Sequence, residues 1–288
     1  MYQIITDATA DYSAEMLDGL PALDVIPMDV IVGDESYKYG PGGDLQIGDF
    51  YAMLKDGKFA STSAINPYIY AEEFEKYLSK GIDVVYLGLT SGLSGCYRNA
   101  VLAKEEIAGK YPDRQIYVLD SACASIGLGI LIEQALEKQK EGLSLEEIVA
   151  WIEDRKYKVA HWFTVDEFEH LKRGGRVSAA AAVVGTALQI KPMLTVDHDG
   201  KLEVKEKARG RKHAMEAQMR HMRQSYRPEL GNYLIIGHGD DLERAHQLGE
   251  LVKAEFPETD IHYSYIGPVI GSHTGPGMIA FTFWGTDR

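Results

Sequence analysis

Along the first half of the chain, continuous apolar runs alternate with stretches of helical spacing. Tyr2 to Thr6, Val84 to Thr90 and Ile116 to Leu119 are short aliphatic and β-branched runs, the composition of strands covered on both faces in a parallel sheet. Ala71 to Lys80, Tyr97 to Lys110 and Ala122 to Lys140 predict helices, the last nearly all apolar at its start and charged at its end. Ser144 and Glu147 form a capping box, and Leu145, Ile148, Val149 and Ile152 follow at helical spacing. This alternation predicts an α/β layer fold. The second half is mixed. Met193 to Val196 and Leu202 to Lys205 flank Asp199-Gly200 and predict a hairpin. Arg211 to Ser225 predicts a helix, and Asp240 with Glu243 caps another that runs to about Phe256. Tyr233 to Gly237, Ile261 to Ile266 and Met278 to Trp284 predict strands. The change of pattern divides the chain into an N-terminal α/β domain with a Rossmann-like parallel sheet, residues 1–155, and a C-terminal α+β domain, residues 156–288. The boundary is approximate and segments can exchange across it.

The three strands of the first half all exit into small polar residues: Thr6-Asp-Ala-Thr9, Thr90-Ser-Gly-Leu-Ser94 and Asp120-Ser-Ala-Cys-Ala-Ser125. In open parallel sheets, ligands bind outside the carboxyl ends of the strands. Three polar loops add to this pointer: Ser61-Thr62-Ser63, Ser91-Gly-Leu-Ser-Gly95 and Gly271-Ser-His-Thr-Gly-Pro-Gly277. Glycine lets backbone amides approach a ligand, and Ser, Thr and His add side-chain donors. Together the loops suit one small-anion pocket.

Composition narrows the function classes. The formal net charge of -13 argues against nucleic-acid binding and against electrostatic docking on anionic membranes. Two cysteines, Cys96 and Cys123, with no Cys-x-x-Cys, argue against a disulfide scaffold and a cysteine-based zinc site. No apolar stretch reaches the length of a membrane span, and the first residues carry no secretory pattern, so a cytoplasmic protein is expected. At 25% charged and 45% hydrophobic residues, the chain has the composition of an ordinary globular protein.

Several residues have competing readings. Ser94 has Gly92 two positions before it but Cys96 two positions after it, so it lacks the second glycine that a Gly-x-Ser-x-Gly elbow requires. It is open to three roles: cap of the following helix, ligand donor, or nucleophile with His273 as base and Asp120 as orienting acid. Asp7 and Asp11 read as organisers of the turn and helix start after the first strand rather than as metal ligands. Gly127-Leu-Gly129 and Gly237-His-Gly239 are incomplete fragments of a dinucleotide fingerprint. Leu171-Lys-Arg-Gly-Gly-Arg176 is either a helix C-terminus with favourable cations or an anion or partner contact. Lys207, Arg209, Arg211 and Lys212 form a second basic cluster on an acidic chain.

In this order the motifs resemble the DegV family of bacterial fatty acid-binding proteins. The motifs are Thr6-Asp-Ala-Thr-Ala-Asp11, Thr62-Ser63, Ser91-Gly-Leu-Ser-Gly95, Leu171-Lys-Arg-Gly-Gly-Arg176 and His273-Thr-Gly-Pro-Gly277. The resemblance spans essentially the whole chain. It implies a long-chain fatty acid such as palmitate, stearate or oleate between two domains, and no cofactor, catalytic residue or metal. It implies a ligand site at Thr62, Ser63, Ser94, Gly95, Arg173, His273 and Thr274, with the carboxylate on the Thr62 and Ser94 hydroxyls. It also implies a separate fatty acid kinase partner that makes the acyl phosphate for phospholipid synthesis, and the two basic clusters place the expected contact with it at Arg176 and Arg209. A monomer is expected, and transient membrane contact is compatible with the role. Ala64-Ile65-Asn66 stands where the family usually continues Gln, Pro, Ser, and Cys96 where Thr is common. The rival readings are a serine esterase or acyl transferase using Ser94 and His273, and a carrier of another lipid.

Overall fold

The computed structural model describes residues 1–177 and 190–286, so residues 178–189 and the last two residues of the expected second domain lie outside the described residues. β1 (Tyr2–Asp7), β2 (Asp24–Ile26), β6 (Asp83–Gly88) and β7 (Ile116–Asp120) form an all-parallel sheet in the order β2-β1-β6-β7. The chain leaves β1 toward β2 on one side and later returns to lay β6 on the other. The order therefore reverses between β1 and β6, which makes their carboxyl ends a topological switch point. Between β2 and β6 the chain builds β3 (Met28–Val32), β4 (Glu35–Tyr39) and β5 (Ala60–Thr62), a small antiparallel sheet in the order β4-β3-β5, together with α1 (Ile47–Lys55). The period-two burial of Met28, Val30 and Val32 is a strand signal that the long apolar runs elsewhere overshadow.

The second sheet starts at β8 (Val159–Thr164) and continues with β9 (Ile190–Val196), β10 (Leu202–Arg209), β11 (Tyr233–His238), β12 (Asp260–Tyr265) and β13 (Ile279–Trp284). Its order is β10-β9-β8-β13-β11-β12, antiparallel except for β11 and β12. The predicted hairpin is the β9–β10 pair.

Helices fill three layers around these sheets. α2 (Pro67–Leu78) and α3 (Cys96–Ile107) cover one face of the parallel sheet, packing Phe74 and Ala100 with Ile5, Val84 and Tyr86. α4 (Ile126–Lys140) and α5 (Leu145–Arg155) lie between the two sheets, where Ile4, Val85 and Leu87 of one share a core with Phe163, Ile235 and Ala280 of the other. Two further helices, beginning at Gly210 and Leu242, cover the outer face of the second sheet through Met222 and Leu248. Because α4 has a sheet on each side, its first seven residues are all buried, which explains an apolar start with no polar stripe. Gly127 and Gly129 set how close it can come. A Cβ on Gly127 would sit 1.9 Å from Nε2 of His161 in β8, and one on Gly129 would sit 2.2 Å from the Asp11 carbonyl. These glycines serve close packing and not a dinucleotide.

Several boundaries differ from expectation. α2 begins at Pro67, four residues early, because the Asn66 side chain accepts the Tyr68 amide and Pro suits the first helical position. α4 begins at Ile126 and not Ala122, because Ala122 and Ser125 adopt positive φ of 50° and 55°. The Ser144–Glu147 capping box forms as read. The later helices are α6 (Glu169–Arg173), α7 (Gly210–Ser225), α8 (Leu242–Glu255) and α9 (Pro268–Thr274). The cap of α8 is Asp241, whose side chain accepts the Arg244 amide; Asp240 instead pairs with Lys55. Among the described residues no helix is long and apolar enough to cross a membrane.

Replacing Gly127 with Ala is expected to destabilise the fold by about 1–3 kcal/mol through overpacking between α4 and β8. Urea unfolding checks this, and an unchanged midpoint would show that the two sheets can separate without cost.

Candidate functional site

A cavity of about 110 Å³, far more than one water needs, opens at the switch point between the sheets. Residues after three of the four parallel strands reach it: Thr9 after β1, Leu89 and Leu93 to Gly95 after β6, and Ala124 to Ile126 after β7. The facing wall comes from β8, β13, α9 and the β9–β10 hairpin, including Phe163, Val196, Leu202, Ile270, Met278 and Ala280. Most of the lining is aliphatic or aromatic.

Several polar lining groups are linked to one another. Thr62 is the last residue of β5, so two of the three expected loops are regular structure instead. Ser61 and Thr62 pair with Ile31 and Val30 of β3, and Gly271 to Thr274 is the second half of α9, which Pro268 opens at its first position. The two elements meet where Thr62 Oγ1 and His273 Nε2 form a hydrogen bond of 2.9 Å. Ser94 lies just before α3, and its Oγ accepts the Cys96 amide at 3.2 Å. The hydroxyl therefore satisfies the first turn of α3, although Gly95 holds the capping position. An oxygen held this way can still give its own proton. Gly95 and Thr274 also line the cavity.

Arg176 turns inward. Gly174 ends α6 and Gly175 takes φ 69°, which reverses the chain and carries the guanidinium to the Leu93 carbonyl at 3.2 Å and to the Gly174 carbonyl. Expected on a partner surface, Arg176 is part of the cavity wall. The helix-terminus reading of Leu171 to Arg176 is what the backbone shows. Arg173, expected at the ligand, points elsewhere: it pairs with Glu169 at 2.9 Å and lies over the Phe59 ring at 3.9 Å. The one-turn spacing from Glu169 and the exposed ring favour this outward position. Ser63 is exposed and outside the lining, since residues on an edge strand alternate faces and Thr62 takes the inner one. Arg209 is exposed at the junction of β10 and α7.

Burial and the Arg176 charge hold the His273 imidazole down to about 4. It is neutral at physiological pH. A Cβ on Gly174 would lie 2.3 Å from its Nδ1, so the Gly-Gly turn also makes room for the ring. His273 and Ser94 do not form a catalytic pair. Nε2 is bonded to Thr62, and Ser94 is bonded to the Cys96 amide. Asp120 stays in the turn after β7, accepting the Ser91 amide at 3.2 Å and the Ala122 amide at 2.9 Å.

Two acidic residues gain roles that sequence spacing does not reveal. Asp7 organises its turn as expected, accepting the Thr9 amide at 2.9 Å, and it also takes the buried Tyr86 hydroxyl. Asp11 starts no helix. Its carboxyl accepts Ser125 Oγ at 2.6 Å and the Gly267 amide at 2.8 Å, bridging the β7 exit to the start of α9. Burial pushes it up to about 7. Tyr51 is a further residue missed: its hydroxyl donates to the Ile266 carbonyl at 2.7 Å, fixing α9 from α1. These partners lie more than 200 positions apart in sequence and leave no local pattern. Among the described residues no group of three His, Cys, Asp or Glu could hold a metal ion.

An α/β protein with a largely apolar cavity at its switch point, closed by Ser, Thr, neutral His and Arg, is built to hold an amphipathic ligand. The family model described as "Uncharacterised protein, DegV family" matches residues 1–285, and the chain belongs to the DegV family. The DegV domain-containing protein CPE0026 of Clostridium perfringens is 38% identical over 100% of this chain and 98% of its own. Among solved structures, a DegV family protein from Thermus thermophilus, described for its fatty acid binding, is 29% identical with a TM-score of 0.85 over 99% of both chains. The Fatty Acid Kinase (Fak) B3 protein of Streptococcus pneumoniae, loaded with linoleic acid, shares the fold at 23% identity and a TM-score of 0.87 over 99% of both chains.

The depressed His273 value has a sign that can be checked. The unfolded imidazole takes up a proton below about 6.5 while the folded one does not until about 4. Its contribution to stability is therefore complete above about 6.5 and lost as pH falls toward 4. The stability difference between the protein and His273→Gln is expected to shrink over that window. A ring titrating near 6.5 by NMR would contradict the assignment.

Proposed function

We propose that the protein binds one long-chain fatty acid in this cavity, with the carboxylate at Thr62, Ser94 and His273 and the hydrocarbon chain running inward between the sheets. The observation that carries this reading is the Thr62–His273 hydrogen bond in the wall of a mainly apolar cavity that Ser94 and Arg176 also line, Arg176 being bonded to the carbonyl of Leu93 next to Ser94. Each buried methylene is worth about 0.8 kcal/mol, so a sixteen-carbon chain gains on the order of 10 kcal/mol before ordering costs. An unpaired carboxylate would oppose this. Two hydroxyls, a neutral imidazole and the donors of Arg176 can offset that penalty, with the guanidinium supplying the charge. The fatty acid binding of the Thermus thermophilus relative supports the ligand class.

The protein then presents the acid to a separate fatty acid kinase, which forms the acyl phosphate for phospholipid synthesis. The chain has no phosphate-binding loop of its own. The Streptococcus pneumoniae protein of this fold is a Fatty Acid Kinase (Fak) B3 protein, which supports the kinase link. With Arg176 drawn into the cavity wall, the partner contact falls on the exposed face of β10 and α7 around Arg209. Residues 1–155 and 156–288 act as the two domains that enclose the ligand. The esterase reading is set aside, because His273 Nε2, which would have to take the Ser94 proton, is bonded to Thr62.

The Thr62→Ala, Ser94→Ala double variant is expected to lose about a hundredfold in palmitate affinity while remaining folded, two hydrogen bonds to a charged group being removed. Native mass spectrometry of retained acid checks this, and full retention by the folded variant would remove these hydroxyls from the site. Arg209→Ala is expected to reduce kinase-dependent phosphorylation of bound acid with retention intact. Normal phosphorylation would place the kinase contact elsewhere.

A further inference from the structure

The inner wall of the cavity carries a hydroxyl that its surroundings leave unused. Thr282 of β13 is 1% exposed and lines the cavity. Among the described residues, no group forms a hydrogen bond to its side chain. The residue opposite it in register is His161 of β8, but both ring nitrogens of His161 are engaged. Nε2 is placed to accept the Ala124 amide at 3.2 Å, and Nδ1 meets the Val159 carbonyl at 3.1 Å. Thr164 and Thr195 also have buried hydroxyls without partners, but neither lines the cavity. Thr282 alone of the three faces space that a ligand could fill.

A buried hydroxyl facing an all-hydrocarbon tail stays unsatisfied, which is costly, and valine would fill the same shape without that cost. A ligand oxygen at the same depth would satisfy it. The depth follows from the strand. Met278, just before β13, lines the cavity four residues after Thr274, and Thr282 lies four residues further on in β13. At about 3.3 Å per residue this is roughly 13 Å. An extended hydrocarbon chain rises about 1.25 Å per carbon, given a 1.52 Å bond and near-tetrahedral angles, so Thr282 meets the chain about ten carbons in.

We infer that the preferred ligand is an oxygenated long-chain acid, carrying a hydroxyl or oxo group near the middle of the chain that hydrogen bonds to Thr282. This inference rests on the fatty-acid reading of the cavity and specifies its ligand. Thr282 is a specificity residue. It contributes little to capture of the head group and discriminates between chains of equal length. A site that offers a hydrogen bond to a ligand hydroxyl disfavours the analogue that lacks it, because its own buried group is then left unpaired.

The experiment is competition binding of octadecanoic acid, cis-9-octadecenoic acid, 10-hydroxyoctadecanoic acid and 12-hydroxyoctadecanoic acid to the full chain and to Thr282→Val. At least one hydroxy acid is expected to bind about fivefold more tightly than octadecanoic acid, and Thr282→Val is expected to bring that ratio to one or below. Hydroxy acids that bind no better than octadecanoic acid overturn the inference and leave the fatty-acid reading standing. So does a gain confined to cis-9-octadecenoic acid, or a hydroxyl preference that survives Thr282→Val. Failure of all four acids to bind overturns the fatty-acid reading itself, and this inference with it.

Discussion

Helix α4 has to satisfy two sheets at once, and the rest of the molecule follows from that constraint. Its first two turns have no solvent side, so they must be apolar all round, and its glycines must let β8 and the Asp11 backbone approach within Cβ distance. The sheets are thereby held a helix diameter apart. At the carboxyl ends of β1, β6 and β7 the helix has not yet begun, because positive φ at Ala122 and Ser125 delays its start. The space left there is the cavity. The site is thus where one shared layer begins between two sheets.

Such a gap is stable only if its rim is tied across the two halves of the chain. Thr62 with His273, Arg176 with the Leu93 carbonyl, Asp11 with the Gly267 amide and Tyr51 with the Ile266 carbonyl make those ties. Two of the four, Thr62 with His273 and Arg176 with Leu93, use cavity-lining groups, so the contacts that close the fold and the contacts available to a ligand overlap. A neutral His273 suits this double role. A protonated imidazole beside Arg176 would add like charge in a desolvated place, whereas the neutral ring can hold Thr62 and leave the charge to the guanidinium.

The regular elements were largely legible because they depend on local pattern. The runs Val84 to Thr90 and Met278 to Trp284 read as strands from composition, and the Ser144–Glu147 box announced α5. The small sheet β3 to β5 was not read, since its strands are short and only Met28, Val30 and Val32 alternate cleanly. The start of α9 was masked by glycine and proline in a stretch that looked like a loop, although proline at a first helical position favours a helix. Basic residues were the least legible. Arg173 and Arg176 are three positions apart, yet one stacks on Phe59 and the other enters the cavity, because a positive φ at Gly175 lies between them.

By itself the sequence determined the fold class, the family and the direction in which to look for the site. Each of these is carried by periodicity, by strand exits or by motifs a few residues long. The tertiary structure alone decided which polar residues converge, which of two neighbouring cations faces inward, that Asp11 bridges distant loops, and that Thr282 lines the cavity. The physical reason is range. Hydrophobic periodicity is a property of neighbours along the chain, whereas a hydrogen bond such as Thr62 to His273 joins residues 211 positions apart and exists only once both sheets have packed against α4.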